Sequence, residues 1–501
     1  MNKISTRFFL LLLFIVCYTI NAAAQTVNIT NVDAGPYGRR SNIMVPVTLN
    51  GCFNIGNRFN LYLSDANGNF SGNGTQIGSF DGFYATFVNG AIPLGATSGT
   101  GYRVRIMSTN PVTTSATSNA FTINAVAGTP IDLNSTELNN NEEVFGTCDN
   151  ATTGAATIPY NISNATDASA TVTATITNEI TNTSTALTLN ANFAAQAAHY
   201  TIASKAVAAN GTISTRGYLL VNNRPMYNAF DLQVNTACLS SGGNVSIPIS
   251  NGAPNPTDQT NRSIRNAFPG NIYTIDWGDG SSDPVRVCEL LATGAVNHSY
   301  NSSSCGEPPI PVGGVTYRNT YGLNILASNS FCNKVGSGAI GAIKVLAQAL
   351  TDFNIQGQGN NTPLLACVGN VTLRNISDPG DNPNLTSTSC KNPDARYNWY
   401  VNGQPVATNR TLAQNLTFPF TAPGSYTVRL ELISGSPCQS DPNDPTNFME
   451  KTICVQNPPD PNFTIQGQNT AVTICGPQTI TPVNTSTVDQ SCQAVTALWT
   501  V

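Results

Sequence analysis

Tyr273 to Asp283 reads YTIDWGDGSSD. Apolar and polar residues alternate up to a Trp, and the run then breaks at Gly-Asp-Gly. A period of two marks a half-buried strand, and the glycines mark a tight reversal after it. A second alternating run, TYGLNILAS (Thr320 to Ser328), follows about forty residues later. The same pair recurs as RYNWYVNGQP (Arg396 to Pro405) and APGSYTVRLELIS (Ala422 to Ser434), and ALWTV (Ala497 to Val501) begins it a third time. TDFNIQGQGNNTPLLAC (Thr351 to Cys367) is likewise echoed by PNFTIQGQNTAVTIC (Pro461 to Cys475). Repetition at about 110 residues reads as tandem whole β-domains, because solenoid repeats are far shorter.

The rest of the chain agrees. Residues 25–126 run TVNITNV, NIMVPVTL, RFNLYLSD, YATFV, GYRVRIMST and AFTINAV, with Gly, Asn and Pro in every gap. That spacing suits a sandwich of short strands. AGTP (Ala127 to Pro130) reads as a linker. Residues 131–225 alternate in TVTATITNEI and TALTLNANF and close on TISTRGYLLVNN, while FAAQAAHY (Phe193 to Tyr200) suggests one helical turn at a corner. QNPPDP (Gln456 to Pro461) is a stiff extended linker.

The WGDG turn and the PGSYTV strand resemble polycystic-kidney-disease-type (PKD) domains, which are immunoglobulin-like β-sandwiches. The run from PVTLNGCFNIGNRFNLYLSDANGNF to IPLGATSGTGYRVRIMSTNP resembles an immunoglobulin-like module of surface proteins secreted by gliding bacteria. The expected fold is therefore all-β: tandem immunoglobulin-like/PKD β-sandwiches joined by short linkers. The expected order is a signal peptide at 1–24, sandwiches at 25–126 and 131–225, PKD-like units at 228–349 and 351–457, and an incomplete one at 460–501.

Lys3 and Arg7 precede the apolar run Phe8 to Ile20, and NAAAQ follows it. A basic start, a short apolar core and a small-residue site define a secretory leader, cut after Ala24. A run of thirteen residues, twelve of them apolar, is too short to span a bilayer. Val16 before Cys17 argues against a lipid anchor, and no other segment reads as a membrane span. Loss of Lys3 and Arg7, two positive charges, takes the formal charge from −5 to −7. Charged residues are only 10% of the chain, against a typical ~25%. Nucleic acid, which needs clustered Lys and Arg, is excluded as a partner. Twelve of the thirteen cysteines remain after the leader, in an oxidising compartment where disulfides are expected. No C-x-x-C pair supports zinc.

Asp276, Asp279 and Asp283 are the calcium candidates, since carboxylates around a turn can supply hard oxygen ligands. Their spacing is not that of a D-x-D-x-D-G loop, and VNGQP in the next unit lacks the acids, so a structural role as backbone caps is favoured. GSGAIG (Gly336 to Gly341) matches G-x-G-x-x-G but leads into AIKVLAQ, a strand rather than a helix. His298 lies in NHSY, which resembles the H-x-Y strand of PKD domains, and the other histidine is His199. No H-E-x-x-H, G-x-S-x-G or Cys–His pairing is present. Trp277, Trp399 and Trp499 share one register, which favours the core Trp on the third strand over a sugar platform.

Function follows by exclusion: a secreted or cell-surface structural or adhesive protein, a stalk or ligand-binding array without catalysis or cofactor. Its partner would be an extracellular glycan or protein ligand, or a cell-surface partner. The gliding-bacteria resemblance implies type IX-like export through a C-terminal sorting domain. The alternative is a set of accessory domains of a secreted polysaccharide- or protein-degrading enzyme, with the catalytic module beyond Val501. In an immunoglobulin-type sandwich the second and sixth strands run parallel, which places Cys367 and Cys438 at opposite ends. The expected pairs are then Cys390–Cys438 and Cys367–Cys454, with Cys238–Cys305 and Cys288–Cys332 in the preceding unit. Repeat register offers Cys367–Cys438 instead. Cys475 and Cys492 match Cys367 and Cys390, so their counterparts are expected after Val501, with residues after about 460 poorly packed and an exposed strand edge.

Overall fold

The computed structural model describes residues 25–135, 143–148, 157–255, 261–359, 364–434, 437–439 and 444–465, with parts of 473–498. These residues form an all-β chain of tandem immunoglobulin-like sandwiches, whose only α-helix among the described residues is Val287–Thr293. The leader, Cys475 and Trp499 lie outside the described residues. The chain divides into two compact units. One holds Met1–Leu232, Ser246–Val296 and Leu323–Ile340; the other holds Gln233–Val245, Asn297–Gly322 and Gly341–Val501.

In the first unit, the opening module sets a three-stranded sheet (Thr26–Ile29, Asn42–Asn50, Phe87–Ala91) and a four-stranded sheet (Thr75–Asp81, Arg58–Leu63, Val104–Thr109, Val112–Thr114) around one core. Alternation decides which residues point inward: Phe59, Leu61 and Leu63 are buried, as are Val104 and Ile106. Each such side chain contributes roughly 1.5–3 kcal/mol by leaving water. The second module is not a separate body. Its strand Ile213–Asn222 joins a sheet that continues through Tyr37–Arg39 to Phe121–Ala127 and Gly99–Tyr102 of the first. Nine of its ten residues are buried. Gly217 sits where a Cβ would meet the Phe87 ring at 2.6 Å. The Asn89 side chain completes the contact, donating to the Gly217 carbonyl and accepting from its amide, both at 2.8 Å.

The segment read as a linker, Ala127 to Pro130, is held by hydrogen bonds. The Gly128 amide donates to Arg39, the Thr129 carbonyl accepts from Ser214, and the Ile131 amide donates to Asn42 at 2.7 Å. The expected helical turn at Phe193 to Tyr200 is replaced by strands Asn192–Gln196 and His199–Ala208. Alternating burial outweighed the helix preference of the alanines.

In the second unit, the fourth module sets Phe353–Ile355, Gly369–Asn375 and Leu416–Phe420 against a five-stranded sheet built on Arg396–Val401, Gly424–Ser434 and Phe448–Gln456. Trp399 is fully buried in its core, edge-on to Phe353 at 5.2 Å and among Leu373, Val428, Leu430 and Ile453. GSGAIG lies inside the strand Val335–Leu346, so it presents no helix N-terminus to a phosphate.

Three short strands share one placement. Val144–Thr147 pairs in parallel with Ile213–Asn222 in the first unit. In the second, Asn235–Cys238 pairs in parallel with the end of Val335–Leu346, and Leu364–Cys367 with Phe448–Gln456. Each lies early in its module, against that module's closing strand.

The disulfides are not those expected. Cys52 bonds to Cys288, Cys148 to Cys332, Cys238 to Cys438, Cys305 to Cys390 and Cys454 to Cys492, with Cα separations of 5.3–5.9 Å. The structure therefore contains neither Cys390–Cys438, Cys367–Cys454, Cys238–Cys305 nor Cys288–Cys332, and not the register alternative Cys367–Cys438. Every bond joins two different modules. Strand direction does put Cys390 and Cys438 at one end of the fourth module, but both reach across that end to the third. A cysteine at the end of a sandwich lies nearer to the abutting module than to the far end of its own.

Candidate binding cleft in the first unit

In the acidic turn each carboxylate accepts a local donor. The Asp276 carboxylate accepts from the Gly278 amide at 3.0 Å and that of Asp279 from the Ser281 amide at 3.0 Å. Asp283 accepts from the Trp277 indole at 2.8 Å. Trp277 is fully buried. The carboxylates thus satisfy local donors around the turn, which Gly278 and Gly280 enter at φ of 78° and 89°. Among the described residues, one group of three donors lies within 4.8 Å: Cys305, Asp381 and Cys390. The two sulfurs are bonded to each other, so no thiolate remains to ligate a metal. His298 packs edge-on to Tyr300 at 4.6 Å.

His199, the first residue of its strand, has a different setting. It is 4% exposed, and its Nε2 lies 3.1 Å from the Tyr84 hydroxyl. Tyr84, His199 and Phe268 meet edge-to-face with centroids 5.6–5.7 Å apart. Burial pushes the imidazole down to about 3, so it is neutral at ordinary pH. Its buried Nδ1 has no hydrogen-bond partner. Burial, and after it the Glu179 charge, raises the Tyr84 phenol. Burial also raises the Glu179 carboxyl, against a hydrogen bond with Thr201.

These groups line a cleft of about 310 Å³ that takes residues from three modules. Tyr84 comes from the first, Glu179, Ile180 and His199 from the second, and Arg265, Pro269, Val287, Cys288 and Leu291 from the third. A second cleft of about 310 Å³ shares Tyr84, Glu179, Pro269 and Cys288 and continues along Val47, Leu49 and Phe83. The Cys52–Cys288 bond fixes the wall. Beside it, the Arg286 guanidinium donates to the Phe53 carbonyl and to the Asn54 side chain at 3.1 Å. The Glu289 carboxylate accepts from the same guanidinium, which anchors the helix start. The cleft offers a carboxyl, a guanidinium and a neutral imidazole among apolar walls, a set that suits hydrogen bonding to a polar, uncharged chain.

Sequence reasoning named His199 without a role and missed Tyr84, Glu179 and Arg265. No local motif carries such a site, because its members come from modules far apart in the chain. One signal was present. The first and second modules each contain a single cysteine, Cys52 and Cys148, and an odd count requires a bond to another module.

The fold and its joints define a class: an array of tandem immunoglobulin-like β-sandwiches cross-linked from module to module. No family model and no curated protein matches the chain. Among solved structures, the N-terminal eight Ig domains of Down Syndrome Cell Adhesion Molecule are 12% identical, with 88% of this chain and 48% of that one covered and a TM-score of 0.22. The chain thus spans about half the length of that structure. The ectodomain of mouse nectin-like molecule 4 is 11% identical over 51% of this chain and 76% of its own, with a TM-score of 0.24. SGBP-B of the Bacteroides ovatus mixed-linkage glucan utilization locus, solved with a mixed-linkage heptasaccharide, is 15% identical over 66% and 72%, with a TM-score of 0.15. At identities and TM-scores this low, none of these proteins' binding properties carries over. Among the described residues no helix is long and apolar enough to cross a membrane.

Proposed function

We propose that this protein is a secreted or cell-surface binding array, a series of PKD-type and immunoglobulin-like modules that presents ligand-binding clefts without catalysing a reaction. The observation that carries this reading is the wiring of the disulfides, each of which ties one module to another. A bond within a sandwich would stabilise that sandwich; a bond between sandwiches fixes how they are held under load. The chemistry of the Tyr84–His199 cleft favours a neutral polar chain such as a glycan or an extended peptide as ligand. Weak single contacts would gain strength through multivalent display. Export through a leader at residues 1–24 and a type IX-like route belongs to the same proposal.

Titrated binding of residues 25–501 to glycan and protein arrays tests it. Saturable binding, strengthened when the protein is multimerised and weakened by Glu179→Ala, is the expected outcome. Turnover of a polysaccharide or a protein by residues 25–501 alone would overturn the non-catalytic reading.

A further inference from the structure

The second module turns one sheet face toward the first. Strand Ala170–Asn178 pairs antiparallel with His199–Ala208, which sets Thr173 beside Lys205, Thr175 beside Ala203 and Thr177 beside Thr201. Just past these pairs, the Glu179 amide donates to the His199 carbonyl at 3.0 Å. Side chains alternate across a strand, so these odd-numbered residues share one face. Ile176, Tyr200 and Ile202 fill the core on the other.

On His199–Ala208 the shared face is taken up by the first module. The Lys205 ammonium pairs with Asp33 at 2.7 Å, the Thr201 hydroxyl donates to that of Thr86 at 2.6 Å, and His199 meets Tyr84. The neighbouring strand stays open. Thr173 and Thr175 are exposed, and Thr177 and Glu179 are half-buried. They form the floor of a groove whose wall is the first module.

A cleft lies at each end of this floor. One is the cleft around Glu179. The other, of about 360 Å³, sets Thr173, Thr175 and Lys205 against Asp33, Met44 and Pro46. Strand Asn42–Asn50 walls both ends, with Met44 and Pro46 at one and Val47 and Leu49 at the other. Six residue steps separate Thr173 from Glu179, roughly 20 Å of extended chain. The protein makes little use of the floor hydroxyls. Those of Thr173 and Thr175 reach the Lys205 and Ala203 carbonyls only at 3.5 Å, beyond the roughly 2.5–3.0 Å of a good O–H···O bond.

We propose that this groove is the binding track of a linear neutral saccharide, running from the Tyr84–His199 cleft to the Asp33–Lys205 cleft. The proposal rests on the reading of the protein as a binding array and names the ligand class of its cleft. Sugar hydroxyls pair with the threonines along the floor, with Glu179 at one end and with Asp33 and Lys205 at the other. Apolar ring faces lie on Met44 and Pro46. Asp33 and Lys205 neutralise each other, so a charged chain gains nothing at that end. The floor strand is flanked by Thr183–Leu187 and His199–Ala208, and the track runs over its face. A peptide backbone finds no ladder of N–H and C=O groups to join there.

Calorimetric titration of the protein with neutral linear gluco-, xylo- and manno-oligosaccharides, from disaccharide to hexasaccharide, tests this. In the series that binds, affinity is expected to rise with chain length until both clefts are spanned. Salt should leave it unchanged, because the ligand carries no charge. Thr173→Val and Thr175→Val each remove one hydroxyl and keep a β-branched strand residue. Each should weaken the longest oligosaccharide roughly 2- to 10-fold, and the double variant should abolish the gain with length. Affinity independent of length, or full affinity in the double variant while Glu179→Ala weakens binding, would overturn the groove and leave the array standing. Binding that falls steeply with salt, or binding of peptides and of no oligosaccharide, would overturn the neutral saccharide alone. Absence of binding on glycan and protein arrays alike would overturn the array reading, and this inference with it.

Discussion

Between the first and second modules the joint is a shared sheet. Strand Ile213–Asn222 is buried along nearly its whole length, Phe87 packs on the Gly217 backbone, and Asn89 closes the polar gap. No disulfide links these two modules, since Cys52 and Cys148 both bond to the third. Between the third and fourth modules the second unit shows the reverse. Its contacts there are polar: the Arg318 amide to the Leu385 carbonyl at 2.8 Å, the Asn319 side chain to Ser387 at 3.1 Å, the Lys344 ammonium to the Asn384 carbonyl at 3.0 Å. Two disulfides accompany them. The hydrogen bonds contribute roughly 0.5–1.5 kcal/mol each, because water competes for the same groups. Apolar burial holds a joint without help; a polar joint needs a covalent restraint to keep its partners at high effective concentration.

Reduction should separate the two joints most sharply. Losing a native disulfide costs roughly 2–5 kcal/mol. In the polar joint that loss should appear as opening rather than as unfolding of either sandwich. Hydrogen exchange under dithiothreitol is expected to release the amides of Arg318 and Asp381, which are bonded across the joint to Leu385 and Ala347. The amides of Gly217 and Ile213 should stay protected. Equal release at both joints would show that packing alone holds neither.

The converse test is Gly217→Val. The added side chain meets the Phe87 ring within 2.6–2.9 Å, and overpacking a filled core costs up to about 3 kcal/mol. Urea denaturation should show that loss, and the Cys238–Cys438 and Cys305–Cys390 bonds should form as before. A variant of wild-type stability would mean that the shared sheet yields easily and is not what fixes this joint.

Acid should weaken the packed joint through His199. An unfolded His199 takes up a proton below about pH 6.5; the folded one, pushed down to about 3, does not. The unfolded state binds more protons between those values, so stability falls as pH falls through that window, by about 2 kcal/mol at pH 5. Glu179 works in the opposite sense, because its raised carboxyl is relieved when protonated. Comparison of wild type with His199→Phe at pH 7 and pH 5 isolates the imidazole. The variant should lose less stability on acidification, and identical losses would exclude His199 as the cause.

The strands were legible in the sequence because alternation needs no partner to be seen. Tyr397, Trp399 and Val401 face inward wherever the opposing sheet comes from. The shared sheet was not legible. ISTRGYLLVNN shows a strand, but burial on both faces depends on Tyr37 and Phe87, which no local pattern connects to it. The helix Val287–Thr293 was also passed over. Its buried Val287 and Leu290 have the i, i+3 spacing of one helical face, too short a run to stand out among strands. The cysteines misled for a physical reason: strand direction assigns each to an end of its module and is silent on what abuts that end. The cleft around His199 was hidden for the same reason, since it exists only where three modules meet.

The smallest effect expected is at two carboxylate staples, Asp381 accepting from the Ala347 amide at 2.8 Å and Asp489 from the Asn457 amide at 3.1 Å. Asp381 is buried and also pairs with Lys391 at 3.2 Å. Asp381→Asn keeps an acceptor for the Ala347 amide but makes it neutral, and Lys391 keeps Asp378 at 2.9 Å. Replacing a charge-assisted bond by a neutral one should cost about 1 kcal/mol, read as roughly fivefold faster exchange of the Ala347 amide. Asp489 differs in being only half-buried. Its carboxyl is held below the usual range by the Ser491 hydroxyl and then by the Asn457 amide. A depressed carboxylate contributes above its unfolded value of about 3.9 and loses that contribution as pH falls through its folded value. Asp489→Asn at neutral pH should therefore reproduce, at the Asn457 amide alone, what acid does to the wild type. If Asn457 exchanges no faster in the variant while Ala347 does in Asp381→Asn, the two staples are not equivalent, and Cys454–Cys492 alone positions the fourth-to-fifth joint.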